Sequence, residues 1–156
     1  MSYRPNVAAI ITDAQGLMLV CERNDYPGSW QFPQGGVKAG EDRETALWRE
    51  LEEEVALTPR DVEILQRRDG YRYRFPGGAV KKNKWIGQEQ TYFHLKLIAP
   101  RSAVTIETAE PEFRDTQWIE PAEFKLRWLP PEKHPVYRQV LQDFFQVDVA
   151  IAAEVP

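Results

Sequence analysis

The stretch GGVKAGEDRETALWRELEEEVAL, Gly35 to Leu57, leaves a glycine-rich loop and turns helical from Glu41. Ala46, Leu47, Leu51 and Val55 recur at helical spacing and define an apolar face that ends near Ala56. Within it, RELEEEV places glutamates at 50, 52, 53 and 54, although like charges on neighbouring helical turns repel. Taking about 100° per residue and Leu47 as zero, Leu51 falls at about +40° and Val55 at about +80°. Glu54 then falls at about −20°, Glu50 at about −60° and Glu53 at about −120°, with Arg49 at about 200° and Glu52 at about 140°. Glu52 is therefore an ordinary solvated residue. Glu54 sits beside Leu47 at the margin of the buried face, where an unpaired carboxylate is costly. Glu50, Glu53 and Glu54 converge on one strip whose repulsion a hard cation can relieve.

Outward from this helix the chain alternates strand-like and turn-like segments. NVAAIITDAQGLMLVCE reads as two apolar segments around an Asp-Ala-Gln-Gly turn, a hairpin signal. VEILQRR, YRYRF, TYFHLKLIA and the shorter TQWIE are enriched in β-branched or aromatic residues and read as strands. HPVYRQVLQDFFQV puts Val136, Val140, Leu141 and Phe144 on one helical face, with Pro135 suited to the first turn. Strands, a helix, more strands and a closing helix predict an α/β fold, a mixed sheet covered by helices on its two faces.

The chain has 156 residues, 42% hydrophobic and 28% charged, which suits one domain over residues 1–156 with a core that needs no disulfide. Cys21 is the only cysteine, so it is read as a small core residue. No apolar run approaches bilayer length, and MSYRPNVAAIITDAQG lacks a basic region followed by an apolar one. A cytoplasmic protein without a membrane partner is expected. The net charge of −4 argues against a general nucleic-acid binder. Between Arg67 and Lys84, however, seven basic residues stand against one acid, with Tyr71, Tyr73 and Phe75 interleaved.

Gly35, Glu41, Arg49, Glu50, Leu51, Glu53, Glu54 and Leu57 stand at the spacings of the Nudix hydrolase signature, which the stretch closely resembles. Ala56 stands where that family has glycine, so the chain there either leaves the helix in a left-handed conformation at a cost of about 1 kcal/mol or takes a different exit. YRPNV, SWQFPQGG, YRYRFP, IGQEQTYFHL and EPEF are further similar to the RNA 5′-pyrophosphohydrolases and the related dinucleoside polyphosphate hydrolases. The resemblance implies the Nudix fold, an α/β/α sandwich with a mixed β-sheet, and hydrolysis of a nucleoside diphosphate linked to another group. It also implies that Glu112, in EPEF, is an additional acidic ligand or base.

Phosphoanhydrides resist attack because their oxygens are negative, so a catalyst must neutralise charge and orient water. Carboxylate oxygens suit Mg²⁺, with Mn²⁺ a second choice. Glu50, Glu53, Glu54 and Glu112 are the expected ligands, with Gly35 letting the backbone approach closely and a loop carbonyl available as a further ligand. Glu53 and Glu112 are the two candidates for general base, and the sequence leaves both open. Arg49 points away from the strip and is expected to brace Glu41 or the loop around the catalytic glutamates. Arg4, Arg23 and Lys133 are candidate phosphate contacts. Asn24 complicates Arg23, because the family carries adjacent arginines there and this chain has one extra residue. Tyr73 either stacks on a base or orders phosphates, or is a half-exposed strand tyrosine. His94 is placed on a polar strand face and given no role, His134 is ambiguous, and Trp30, Trp48 and Trp118 are read as core.

Three functions compete at this point. The first is removal of pyrophosphate from the 5′-triphosphate end of RNA, which would initiate decay. The second is hydrolysis of diadenosine tetraphosphate or a similar nucleoside polyphosphate. The third is a non-catalytic nucleotide sensor, which the intact set of carboxylates disfavours. The basic stretch from Arg67 to Lys84 is expected to serve the first as a landing strip for a polyanion.

Overall fold

A computed structural model describes residues 2–149. The strand-forming segments give β1 (Ser2–Thr12), β2 (Met18–Arg23), β3 (Trp30–Gln31), β4 (Gln34–Gly36), β5 (Val62–Arg74), β6 (Trp85–Leu97) and β7 (Phe113–Ile119). The helices are α1 (Arg43–Val55) and α2 (His134–Phe145).

The long central pair is β1 with β6, parallel and in register from Tyr3↔Gly87 to Thr12↔Lys96. β5 closes one side, antiparallel to β6. The two apolar segments NVAAIIT and LMLVCE do flank a turn, held by the Asp13 carboxylate accepting from the Gln15 and Leu17 amides at 2.9 and 3.0 Å. They are not zipped together as a long hairpin, since β1 and β2 align only at Thr12↔Met18. Beyond that point the sheet forks. β3 pairs with β2 and β4 with β1, so Trp30 to Gly36 fills the opening, while β7 covers the outer edge of β2.

VEILQRR and YRYRF, read as separate strands, form the single strand β5. Its register slips between Arg68 and Tyr71, where Gly70 takes φ +89°, a bulge that lets one strand keep pairing on both sides of the irregularity.

Strand alternation sends side chains to two faces. Val7, Ile11, Leu19 and Phe93 pack under Leu47, Leu51 and Val55 of α1. Ala8, Ile10, Val20 and Tyr92 pack under Val136, Val140, Leu141 and Phe144 of α2. The three-layer α/β/α arrangement expected from the sequence is present. Cys21 is fully buried on the α1 side, and Trp30, Trp48 and Trp118 pack against the two cores. The face carrying His94 is not polar: Tyr92 is fully buried, and His94 meets the rings of Phe144 and Phe145 while its Nε2 bonds Thr12 Oγ1 at 2.9 Å. α2 covers this face, and a strand's own alternation cannot announce that cover.

α1 begins where Asp42 caps it, accepting from the Thr45 amide at 2.7 Å. It ends at Ala56 in the left-handed region, φ 60° and ψ 26°, with the Leu57 amide returning to the Leu51 carbonyl at 3.2 Å. The alanine therefore adopts the backbone of the glycine it stands for, strained by its β-carbon.

Candidate active site

The site lies where the sheet forks, with α1 laid across β4. Glu54 is 1% exposed, as its place beside Leu47 requires. Its Oε1 accepts from the Gln34 amide at 2.9 Å, whereas its Oε2 is buried with no hydrogen-bond partner. Burial first, then the facing Glu112 carboxylate and Glu50, push the Glu54 carboxyl up to about 11.

Glu50 rests directly on Gly35, where a β-carbon would collide with its whole carboxyl group. Burial raises its pKa against the lowering pull of Arg49, whose Nη1 lies 2.6 Å from Oε1. Glu53 is more open, its side chain 56% exposed and 3.7 Å from Arg49. Glu52 points to solvent, as the helical angles predict.

Arg49 does brace Glu41 and the loop. It donates to both Glu41 oxygens at 2.8 and 2.9 Å and to the Gly36 carbonyl at 2.8 Å. Arg49 and the Lys38 amide hold the Glu41 carboxyl down at about 2. The expectation that Arg49 points away from the carboxylate strip is corrected. Its long side chain curls back to Glu50, because a guanidinium has enough donors to engage Glu41, Gly36 and Glu50 together. An angle read at the Cα does not fix where such a side chain ends.

Glu112 enters from the loop before β7, which the Asn24 amide ties down by donating to the Glu112 carbonyl at 2.8 Å. Glu53 and Glu112 together line a cavity of about 640 Å³ with Arg49, Glu107 and Glu110. Among the described residues no three acidic side chains close around one point, since Glu50 is turned to Arg49 and Glu53 to solvent. The chemistry nevertheless fits a hard divalent cation: every donor is an oxygen, one buried carboxylate oxygen lacks a partner, and two carboxyls face each other. Glu50, Glu53, Glu54 and Glu112 could hold such an ion.

A cationic group stands next to the acidic one. Arg4 on β1, Gln88 on β6 and Tyr73 on β5 are in register across the sheet. The Arg4 guanidinium packs on Gly36, where a β-carbon would strike it. The Lys133 ammonium lies 5.7 Å from the Tyr73 ring centroid. Burial, reinforced by the charges of Arg23 and Lys81, lowers Lys133 to about 8. Arg4, Arg23 and Lys133 thus gather around Tyr73.

Two of these expectations change in detail. Tyr73 is 9% exposed, so it is neither a half-exposed strand tyrosine nor an open stacking platform. It is a buried floor with Lys133 over its ring, and burial pushes its hydroxyl up to about 12. Arg23 is not an open phosphate contact either: Asp25 accepts from its Nε and Nη2 at 2.9 and 2.7 Å. Sequence reasoning missed Asp25, although an acid two residues beyond an arginine in a turn is a readable signal. It also missed the Gln34 amide, which no side-chain pattern could reveal. His134 is structural, its Nε2 2.8 Å from the Leu129 carbonyl.

The basic stretch is not one strip. Arg67 pairs with Asp69 at 3.2 Å, Arg72 pairs with Glu89 at 2.7 Å, and Arg68 lies over the Phe144 ring. Alternation along β5 sends these side chains to opposite faces. Lys81, Lys82 and Lys84 remain exposed in the loop before β6, and of these the charge of Lys81 reaches Lys133.

Residues 2–144 match the NUDIX domain family. A protein named RNA pyrophosphohydrolase from Saccharophagus degradans is 41% identical over 154 residues, covering 93% of this chain and 87% of that one. One of the same name from Klebsiella pneumoniae is 38% identical, covering 99% and 89%. Among solved structures, the Escherichia coli dihydroneopterin triphosphate pyrophosphohydrolase superposes with a TM-score of 0.63 at 19% identity, over 92% of this chain and 97% of that one.

Proposed function

The chain belongs to the Nudix family, and from that membership we propose that it is a metal-dependent hydrolase that removes pyrophosphate from the 5′-triphosphate end of RNA. The observation that carries the reading is the meeting at Gly35 and Gly36 of two opposed groups. Glu50 seats on Gly35 and Arg4 on Gly36, so a polyphosphate bound by the cations lies beside the carboxylates. Relatives that share 38 to 41% of their residues with this chain and are named RNA pyrophosphohydrolase supply the substrate class.

Glu50, Glu53, Glu54 and Glu112 would hold Mg²⁺, with Mn²⁺ as an alternative, and the metal supplies charge neutralisation and a more acidic bound water. Around it this chain's residues do the rest. Gly35 fixes Glu50 by leaving it room, and Arg49 ties that carboxylate to Glu41 and to the loop. Arg4, Lys133 and, once released from Asp25, Arg23 bind the phosphate oxygens and hold them in line. Tyr73 supports Lys133 from below. Glu53 and Glu112 line the open cavity and are the two groups placed to take the proton of the attacking water.

We read residues 1–156 as one catalytic domain, of which 1 and 150–156 lie outside the described residues. No helix among the described residues is long and apolar enough to cross a membrane, and a cytoplasmic site of action follows from the RNA substrate. The test is a side-by-side assay of triphosphorylated RNA and diadenosine tetraphosphate with Mg²⁺, with product identification. Pyrophosphate and monophosphorylated RNA as the preferred products support the proposal. Faster release of ATP from the dinucleotide would replace it with the polyphosphate-hydrolase reading.

A further inference from the structure

Asn6, Gln34 and Gln90 come together where β4 and β6 flank β1, and the proposed chemistry uses none of their side chains. Asn6 and Gln90 are each 2% exposed. The Gln90 Nε2 donates to Asn6 Oδ1 and to Gln34 Oε1, both at 2.9 Å, which occupies both of its hydrogens. The Gln90 Oε1 accepts from the Tyr92 hydroxyl at 3.3 Å. Tyr92 is bonded in turn to Tyr137, whose hydroxyl accepts from the Phe32 amide at 3.4 Å. A phenol carries one hydrogen, so with that of Tyr92 on Gln90, that of Tyr137 goes to Tyr92. Every donor in this buried chain therefore points the same way, from the Phe32 amide toward β4.

The consequence falls on Gln34. A carboxamide can be turned over with little change of shape, but the reversed form would set the Gln34 NH2 against the NH2 of Gln90. The Gln34 oxygen is thus held on Gln90, and its Nε2 is left without a partner among the described residues. Gln34 lines a cavity of about 550 Å³ with Arg23, Gln31 and Glu112. Two residues on, and on the same strand face, Gly36 carries the Arg4 guanidinium. The ladder pair Ala8↔Gln34 holds the Gln34 backbone whatever its side chain does. What Gln90 adds is the choice of which end of the carboxamide meets the cavity.

We propose that Gln90 is a positioning residue for substrate: by holding the Gln34 oxygen, it aims the Gln34 N–H donors at an oxygen of the phosphate chain, beside Arg4 and Arg23. Neutral donors suit this border, because they bind a phosphate oxygen without drawing in Glu112 as another cation would. The inference rests on the polyphosphate reading of the active site.

The test reads Gln34 directly. In metal-free, ¹⁵N-labelled protein, the Gln34 side-chain amide signals, identified by their loss in Gln34→Ala, should shift on titration with inorganic tripolyphosphate, and the shift should shrink in Gln90→Met. In steady state on one triphosphorylated RNA, Gln34→Ala should raise KM about three- to tenfold, the effect of one hydrogen bond, and leave kcat within about twofold. Gln90→Met should give a similar rise, and none in the Gln34→Ala background. Gln34→Glu keeps the acceptor that Gln90 needs but turns an oxygen to the cavity, so it should raise KM further than Gln34→Ala; this variant keeps the inference open to refutation if Gln90→Met does not fold. Signals unmoved by tripolyphosphate, a KM unchanged in either single variant, a Gln34→Glu no worse than Gln34→Ala, or a Gln90→Met effect that persists without the Gln34 side chain would overturn the inference. A wild-type protein that releases no pyrophosphate from RNA fails the functional reading instead, and the titrations still decide the positioning because they need no turnover.

Discussion

The carboxyl group of Glu50 occupies the space that a side chain on Gly35 would need. Arg4 stands in the same relation to Gly36. Adjacent glycines therefore set one acidic and one basic group, and their substitution should separate two kinetic effects. Gly35→Ala displaces Glu50 and should lower kcat by about a hundredfold, the usual effect of misplacing a reacting group by an ångström. Gly36→Ala displaces Arg4 and should act mainly by raising KM. Steady-state kinetics of both variants on one triphosphorylated RNA reads the difference, and equal effects on kcat would refute it.

Neighbouring glutamates on α1 should behave very differently. Glu53→Gln removes a proposed metal ligand and a candidate base, and turnover should fall by about two to four orders of magnitude. Glu52→Gln, on the solvent side of the same turn, should leave it nearly unchanged. Circular dichroism of both variants checks that the helix persists.

Ala56 holds φ 60°, a backbone that glycine adopts without strain. Ala56→Gly should stabilise the protein by up to about 1 kcal/mol, visible as a melting temperature higher by about 2 to 4 °C. Because Ala56 also borders the cavity beside Glu53, the measurement is made without metal or substrate.

Lys133, lowered to about 8 mainly by burial, is cationic below that pH and neutral above it. If it binds phosphate, kcat/KM should fall as pH rises through about 8, and Lys133→Arg should remove that limb. Stability moves the opposite way. From about 8 to the unfolded value of 10.5, the unfolded chain binds the proton that the folded one has lost, so the folded state gains as pH rises. A thermal-melt series in the same buffers tests this sign.

The Arg23–Asp25 pair is exposed and so weak, and it must open if Arg23 is to take a phosphate as proposed. Asp25→Asn should free Arg23 and lower KM for triphosphorylated RNA about two- to threefold, the scale of one exposed ion pair. In an Arg23→Ala background the same change should do nothing. An effect that persists without Arg23 would mean that Asp25 acts on substrate directly.

Much of this was legible in the chain because helical and strand periodicity report burial. The angle between Leu47 and Glu54 marked Glu54 as a buried carboxylate, and the 1% exposure agrees. The resemblance put the end of α1 at Ala56 and left two exits open there, of which the left-handed one is present. What was hidden depends on contacts between distant segments. Tyr73 and His94 lie on faces covered by α2 and the turn before it, and no local pattern records that cover. Arg49 was misplaced because a wheel locates Cα atoms, whereas a guanidinium reaches several ångströms further. The basic stretch looked continuous because charge was counted along the chain, while a strand deals its side chains to two faces.

The forked sheet also bears on how the chain assembles. β1 shares one aligned pair with β2 but runs in register with β6, whose Gln90 bonds Asn6 across 84 residues of sequence. During synthesis, the edge of β1 that faces β6 therefore stays unpaired until the residues that separate Asn6 from Gln90 have been made. Such long-range pairing slows folding and exposes nascent chains to association. The edge of β1 that faces the opening can be taken early by the Gly35 loop, so the delay falls on the opposite edge, which only β6 can close.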